Sequence, residues 1–192
     1  MKKINDLKNF VFDALLTRDN LKLLEKEGIF LDSSISDNKV DRIVDNSFSP
    51  KLWNDANNMS EVYKSIYCVE NMLREFIVER LSENHGIDWW EKCVPSKVKK
   101  EVDNLKEEEK INKYYSNRST SNIGYTMLGN LTQIIINNWD DFSDIVPNQS
   151  WINSRMDDLE MARNIIMHTG VLPNMELERV DSIVRDLLRQ FN

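Results

Sequence analysis

Apolar residues recur at steps of three and four along most of the chain, the spacing that places them on one face of an α-helix. This periodicity predicts amphipathic helices over residues 4–16, 21–27, 60–83, 97–111, 125–139, 151–170 and 174–190. The run Ile134–Ile136 has the β-propensity of a strand, but no partner strand is evident in the sequence, so we favour a helix. The pattern therefore predicts an all-α bundle with four main helices, at 60–83, 125–139, 151–170 and 174–190, and flanking helices beside them.

Residues 30–50 interrupt this pattern, because they are rich in Ser, Asn and Asp and have only weak periodicity. Such a stretch is typical of a connection between two parts of a chain. We therefore predict an N-terminal helical extension with a polar linker, residues 1–50, and a helical domain, residues 51–192. The 192 residues are enough for one well-buried domain.

Net charge, cysteine content and the absence of known motifs argue against several classes of protein. The net charge of −7 argues against a general nucleic-acid coat, although a locally basic cleft remains open. Lys97, Lys99 and Lys100 form either such a patch or part of a solvated, mixed-charge face. Cys68 and Cys93 are too few for a disulfide framework and indicate reduced thiols in a cytoplasmic protein. The sequence contains no signal peptide, membrane span, P-loop, GxGxxG motif or metal-ligand spacing, so we expect no membrane association, no cofactor and no metal.

The predicted helix at 151–170 carries the candidate chemistry of the chain. Ser150 and Asn153 are its candidate N-caps, and Gly170 is the candidate left-handed residue that ends it. Arg163, Asn164 and His168 lie in its last two turns. Successive helical residues are rotated by about 100°, so Asn164 and His168 are about 40° apart.

Arg163 and His168 are separated by four residues, a pattern of very low information. Arg80 and His85 have the same spacing near the end of the predicted helix at 60–83. Each histidine also has a simpler interpretation, because a cationic imidazole interacts favourably with the C-terminal end of a helix dipole. Spacing alone does not choose between the two pairs.

Longer segments give a more specific signal. RNIIMHTG lies on the penultimate helix, and YCVENMLREFIVERL, GIDWWEKCVPSKV and IGYTMLGNLTQIIINNW precede it in the chain. Together these segments resemble the HEPN superfamily, and within it the Swt1-like branch. The resemblance covers roughly residues 60 to 170, with the final helix completing the bundle.

The resemblance implies a metal-independent endoribonuclease that acts as a homodimer, with its active site in a cleft across the two-fold axis. The motif positions in this chain are Arg163, Asn164 and His168, and the Arg80–His85 pair falls outside the motif. RNA carries its own nucleophile, the 2′-OH, so an imidazole that transfers protons and a guanidinium that binds phosphate are suitable groups. Glu70 and Arg74 form either an ordinary i,i+4 ion pair or a support for this site.

The same resemblance implies RNA as the substrate, a role as a toxin or antiphage effector, and an antitoxin or other regulatory protein as a partner. Some HEPN domains are noncatalytic, so the alternative is a HEPN-like dimerisation module or a module that binds RNA, a nucleotide or a protein. A purely structural helical domain is the third interpretation. A dimer with both His168 side chains facing one cleft would favour the enzyme.

Overall fold

The computed structural model describes residues 48–112 and 116–191, and these residues form α-helices and no strands. The prediction of an all-α protein is therefore confirmed. The described helices, in chain order, are α1 Pro50–His85, α2 Trp89–Cys93, α3 Ser96–Ile111, α4 Leu128–Asn137, α5 Trp139–Phe142, α6 Gln149–Met167 and α7 Asn174–Phe191, with a 3-10 turn at Asn122–Tyr125 before α4.

The chain divides into two units, Met1–Asn58 and Met59–Asn192. In the first unit, the structure describes residues 48–58. The helices predicted at residues 4–16 and 21–27 lie outside the described residues, as does most of the predicted linker. The boundary predicted at residue 50 stays a prediction.

Helix α1 begins ten residues earlier than its apolar pattern predicts. Ser49 is its cap, because its side-chain oxygen accepts a hydrogen bond from the Leu52 amide at 3.3 Å. Pro50 then occupies the first helical position, where its missing N–H is not needed and its fixed φ suits the helix. Ser60, which the sequence suggested as the cap, lies inside the helix. The start signal was therefore the Ser–Pro pair.

The helix predicted at 125–139 is divided into three pieces, which corrects the prediction of one continuous helix. The Thr126 hydroxyl donates to the Ile123 carbonyl at 2.6 Å, and the Met127 amide donates to the Asn130 side chain at 2.9 Å. These local bonds end the 3-10 turn and begin α4. At the other end, the Asn138 side chain donates to the Cys93 carbonyl at 3.0 Å and separates α4 from α5. The Ile-rich run is helical, as predicted.

The core of the second unit lies between α1, α4, α6 and α7, which are the four helices that the sequence predicts as the main ones. Their inward stripes interlock as one cluster of fully buried side chains, which includes Leu73, Ile77, Leu81, Leu131, Ile134, Ile135, Ile152, Leu159 and Leu187. Burial of such stripes supplies most of the stability of packed helices.

Ion pairs join α6 to α7 at two levels. The Arg155 guanidinium donates to the Asp186 carboxyl group at 2.6 Å and stacks on the Trp151 ring at 4.2 Å. Arg179 donates to Asp158, also at 2.6 Å. These contacts hold the two helices side by side. None of the helices in residues 48–112 and 116–191 is long and apolar enough to cross a membrane.

Candidate functional site

The helix that carries the candidate motif, α6, is capped at a different residue from those predicted. Asn148 precedes the helix, and its side-chain oxygen accepts a hydrogen bond from the Trp151 amide at 2.8 Å. Ser150 and Asn153 lie inside the first turns instead. An asparagine at this position satisfies one of the amide groups that have no partner within the helix. The inward stripe that follows fixes the orientation of α6, with Arg163 at the edge of the core.

The C-terminal end of α6 closes with a pair of backbone hydrogen bonds. The Thr169 amide donates to the Ile166 carbonyl at 2.9 Å, and the Gly170 amide donates to the Ile165 carbonyl at 2.8 Å. This is the Schellman arrangement. The left-handed residue in it is Thr169, with φ of 61°, and not Gly170 as the sequence suggested.

Glycine is required at position 170 for a different reason. A Cβ atom there would lie 2.5 Å from Cγ2 of Ile165 and 2.9 Å from its carbonyl oxygen. The chain after this glycine enters the core, because Leu172 is buried and its amide donates to Sδ of Met59 at 3.4 Å. The turn is therefore fixed by backbone hydrogen bonds to the last residues of α6 and by the burial of Leu172 after it. His168 lies at the point where the helix ends.

His168 and Asn164 are both exposed at this end of α6. The His168 amide donates to the Asn164 carbonyl at 3.1 Å. Among residues 48–112 and 116–191, the structure shows no hydrogen-bond partner for the imidazole of His168 or for the side-chain amide of Asn164. Both groups are therefore open to a ligand.

Arg163 points toward α1, where its Nε lies 4.0 Å from Oε2 of Glu70. The other carboxyl oxygen of Glu70 accepts a hydrogen bond from Nη2 of Arg74. Arg74 also donates to the Thr126 carbonyl at 2.7 Å and to the Asn71 side chain at 3.0 Å. Glu70 is thus a buried acidic group between two arginines from different helices.

This arrangement brings the Glu70–Arg74 pair of α1 together with Arg163 of α6, which the sequence placed on a separate helix. A buried carboxyl group is stable only with such partners, so removal of either arginine would leave a charge poorly compensated. Their roles in a reaction stay predictions. The Thr126 carbonyl is a partner that the sequence did not indicate, because a backbone acceptor has no residue-type signal.

The Swt1-like HEPN family model matches residues 64–192, which is more than half of the chain. The chain belongs to the Swt1-like HEPN family. No curated protein and no solved structure matches it. The matched range contains all five predicted site residues, and the resemblance seen in the sequence is confirmed. Membership supports a HEPN-type, RNA-related module.

The second Arg–His pair of this Swt1-like HEPN domain is engaged elsewhere. His85 Nε2 lies 2.7 Å from Oδ2 of Asp141, and the Asn84 amide donates to the other carboxyl oxygen at 2.8 Å. Arg80 donates to the Asp141 carbonyl at 2.7 Å and pairs with Asp144. These contacts tie the end of α1 to α5. His85 therefore has a structural partner among the described residues, whereas the imidazole of His168 has none there.

This network changes the ionisation of Asp141. Burial of the carboxyl group alone would raise its pKa, but the hydrogen bonds from His85 and Asn84 outweigh burial. The pKa of Asp141 therefore lies below its ordinary value.

Arg74 also lines a pocket on the surface of the Swt1-like HEPN domain. Its other lining residues come from α1 and from the segment before α4, namely Asn71, Glu75, Val78, Glu79, Ser119, Ser121, Ile123 and Gly124. Two carboxyl groups in one pocket repel a phosphate.

Two of the three lysines near the start of α3 face carboxyl groups. Lys99 pairs with Glu91 at 3.0 Å, and Lys97 lies 4.0 Å from Glu101. This pairing favours the solvated, mixed-charge face over a phosphate-binding patch. In the part of the chain that the structure describes, no group of three or more His, Cys, Asp or Glu side chains is arranged to hold a metal ion.

Proposed function

We propose that this HEPN domain is a metal-independent endoribonuclease whose catalytic groups are Arg163 and His168. The observation that carries the proposal is the end of α6, where an open imidazole lies within two turns of an arginine held by buried Glu70. In this reaction the 2′-OH of RNA attacks the adjacent phosphorus and the 5′-oxygen of the next nucleotide leaves. The products carry a 2′,3′-cyclic phosphate and a 5′-OH.

His168 is assigned to proton transfer. An imidazole exchanges protons near neutral pH, and a positioned acid or base of this kind accelerates a reaction by about 10²- to 10⁴-fold. The exposed ring has no competing partner among the described residues, so it is available to a ribose hydroxyl or to a leaving oxygen. Asn164, one turn earlier on the helix, is assigned to orient the ring or to contact the phosphate.

Arg163 is assigned to the phosphate. Its Nε faces Glu70 at 4.0 Å, and the structure shows no hydrogen bond from its Nη groups to any described residue. A guanidinium held on one edge keeps its other donors for phosphate oxygens, which its planar fork matches. Glu70 is therefore a positioning residue, and Arg74 holds Glu70 in turn.

We also propose that the active form is a homodimer. Met161 and Ile165 are 64% and 40% exposed on α6, beside Asn164 and His168. Exposed apolar side chains grouped on one helix face are typical of an interaction surface. A two-fold contact through this face would bring two imidazoles and two guanidinium groups near one cleft, which supplies both an acid and a base.

The second candidate function is a noncatalytic module that binds RNA, a nucleotide or a protein. It is favoured by the net charge of −7 and by the position of Glu70, which offsets part of the positive charge of Arg163. The role as a cytoplasmic toxin or antiphage effector, with an antitoxin or regulatory partner, belongs to the same proposal and is supported by the family resemblance.

The deciding experiment is cleavage of mixed tRNA and mRNA by the purified full chain in EDTA. The variants are Arg163→Ala, His168→Ala and Glu70→Gln, with His85→Gln as the matched histidine control. We expect cleavage by the wild type and by His85→Gln, with cyclic-phosphate ends. Arg163→Ala and His168→Ala should each lose about 100-fold or more. Circular dichroism would verify that every variant is folded.

Other results of the cleavage experiment would support the noncatalytic module or exclude the proposed site. Folded wild type that binds RNA without cutting it would support the noncatalytic module. Equal cleavage by the wild type, Arg163→Ala and His168→Ala would exclude the proposed site. Glu70→Gln should retain the fold and cleave RNA more slowly, because the uncharged glutamine amide no longer attracts the Arg163 guanidinium. Full activity of Glu70→Gln would show that Glu70 does not position Arg163.

A further inference from the structure

An exposed aromatic pair lies on α1 outside the groups discussed so far. Tyr63 and Tyr67 are 37% and 57% exposed, and their ring centroids are 6.4 Å apart with an angle of 47° between the ring planes. They follow one another by one helical turn, so both lie on the same side of the helix.

That side is the one that carries the candidate site. Tyr63 and Tyr67 precede Glu70 by seven and three residues, which places them about 20° and about 60° from Glu70 around α1. Arg74 lies about 40° from Glu70 in the same direction. The two tyrosines thus continue the flank formed by Glu70 and Arg74, toward the start of the helix.

Two contacts set the level of the tyrosines relative to α6. Met59 touches Leu172 and Glu70 faces Arg163, so α1 and α6 run antiparallel. Helical residues rise by about 1.5 Å each, so the end of α6 at His168 lies about 7.5 Å beyond the level of Arg163. A step of about 7.5 Å from Glu70 toward the start of α1 ends between Tyr63 and Tyr67. The two tyrosines therefore lie level with His168.

The opposite end of this flank is occupied by other groups. Arg74 donates to the Thr126 carbonyl at 2.7 Å. The segment before α4 therefore covers the flank at the level of Arg74. At the level of the tyrosines, next to the end of α6, no hydrogen bond or ion pair from another described helix covers the flank, and both rings are exposed.

We propose that Tyr63 and Tyr67 stack against unpaired bases beside the scissile phosphate, so that the substrate is single-stranded RNA. This inference rests on the proposed function, which it deepens. With a net charge of −7, the protein gains little from general attraction to phosphate. Aromatic stacking supplies affinity that does not depend on charge, about 5- to 150-fold per base, and it needs bases that are not held in a duplex.

The chemistry of the flank favours RNA over a second copy of the chain. Next to the tyrosines along this flank lies Glu70, which faces Arg163, and a guanidinium suits a ligand that carries a phosphate. The apolar strip of Met161 and Ile165 on α6 is the surface that suits a second copy.

The test measures binding of a single-stranded 2′-O-methyl oligonucleotide, whose nucleophile is blocked, by fluorescence anisotropy. The full chain is compared with the double variant Tyr63→Ala/Tyr67→Ala and with Tyr63→Phe/Tyr67→Phe. The control is Ile87→Ala, at the other end of α1, where the side chain is 95% exposed. We expect the alanine pair to weaken binding about 10-fold or more, and the phenylalanine pair and the control to bind within about 2-fold of wild type.

A matched oligonucleotide with abasic positions tests the base contact itself. It should bind the wild type and the alanine pair equally, because no base remains to stack. A duplex of the same sequence should bind the wild type more weakly than the single strand. Unequal binding of the abasic strand, or tighter binding of the duplex, would overturn the inference.

The binding and cleavage measurements together distinguish a failure of the stacking inference from a failure of the nuclease proposal. Tyrosine-dependent binding without cleavage of ordinary RNA would support stacking and reject the enzyme. Cleavage together with equal oligonucleotide binding by the wild type and the alanine pair would reject stacking and keep the enzyme. Loss of self-association by the alanine pair in sedimentation velocity, with unchanged affinity for the oligonucleotide, would assign the tyrosines to a second copy and overturn the inference.

Discussion

Glu70 shows how one side chain links two helices of the bundle. It lies 93 positions before Arg163 in the chain, yet the two side chains approach to 4.0 Å. Burial of a carboxyl group is unfavourable unless opposite charges and hydrogen bonds compensate, and here Arg74 and Arg163 provide them. The buried Nε of Arg74 has no hydrogen-bond partner among the described residues, which leaves one donor of this cluster unsatisfied.

Asp141 of α5 contacts the C-terminal end of α1, and these contacts predict how the free energy of unfolding depends on pH. Asp141→Ala should lower the free energy of unfolding by about 2 kcal/mol near neutral pH, because it removes two hydrogen bonds to a charged group. The pKa of Asp141 is depressed in the folded state, so its stabilisation is fully present above the ordinary value of 3.8. It is lost as pH falls through the lower folded-state pKa.

Urea unfolding of the wild type and Asp141→Ala at pH 7, 5 and 3, followed by circular dichroism, measures this difference. Asp140→Ala is the control, because Asp140 is exposed on the same helix. It should change stability by less than about 0.5 kcal/mol. A difference between the wild type and Asp141→Ala that grows from pH 5 to pH 3 would contradict the assignment.

At the scale of the element, the end of α6 depends on two neighbouring residues with opposite expected effects. Gly170→Ala should destabilise the protein by about 1–3 kcal/mol, because its Cβ would meet the Ile165 carbonyl. Thr169→Gly should stabilise it by about 1 kcal/mol, because a β-branched residue is strained at a φ of 61°.

Thermal and urea unfolding of both variants would test these signs. Because His168 immediately precedes this turn, Gly170→Ala should also reduce RNA cleavage by the proposed enzyme, whereas Thr169→Gly should keep most of it. Destabilisation by both substitutions would show that the left-handed threonine is not strained. Wild-type stability of Gly170→Ala would show that the turn relaxes without cost.

At the scale of the whole molecule, the proposed dimer gives a prediction about mass. The chain has a mass of 22.6 kDa, so a homodimer should have twice that mass in light scattering. Met161→Glu should shift the protein to monomer and reduce cleavage, because two carboxyl groups would face each other across the two-fold axis. Met175→Glu is the control, since it adds the same charge at another exposed methionine, 84% exposed on α7.

Two results would reject the composite cleft. A wild type that cleaves RNA as a monomer would show that one chain is sufficient. A Met161→Glu variant that stays dimeric, with a Met175→Glu variant that does not, would place the interface on α7 instead.

The sequence by itself determined the helical class, the main helices and the family. Helical periodicity is a local property, so the apolar stripes of α4, α6 and α7 identify their cores without knowledge of their partners. The closeness of Asn164 and His168 on α6 is equally local, because a four-residue step along a helix separates them by about 40°. Membership in the Swt1-like HEPN family, which the longer segments indicated, is confirmed.

Only the tertiary structure decided which of these local features meet. The distinction between the two Arg–His pairs depends on packing, because Asp141 reaches His85 from a helix 56 residues away. The same holds for the contact between Glu70 and Arg163. The contact between the turn after α6 and the start of α1 is another example, because the Leu172 amide donates to Sδ of Met59 at 3.4 Å. Residue spacing in the sequence determines geometry within one helix. Contacts between helices, such as Asp141 with His85 and Glu70 with Arg163, depend on how the helices pack against one another.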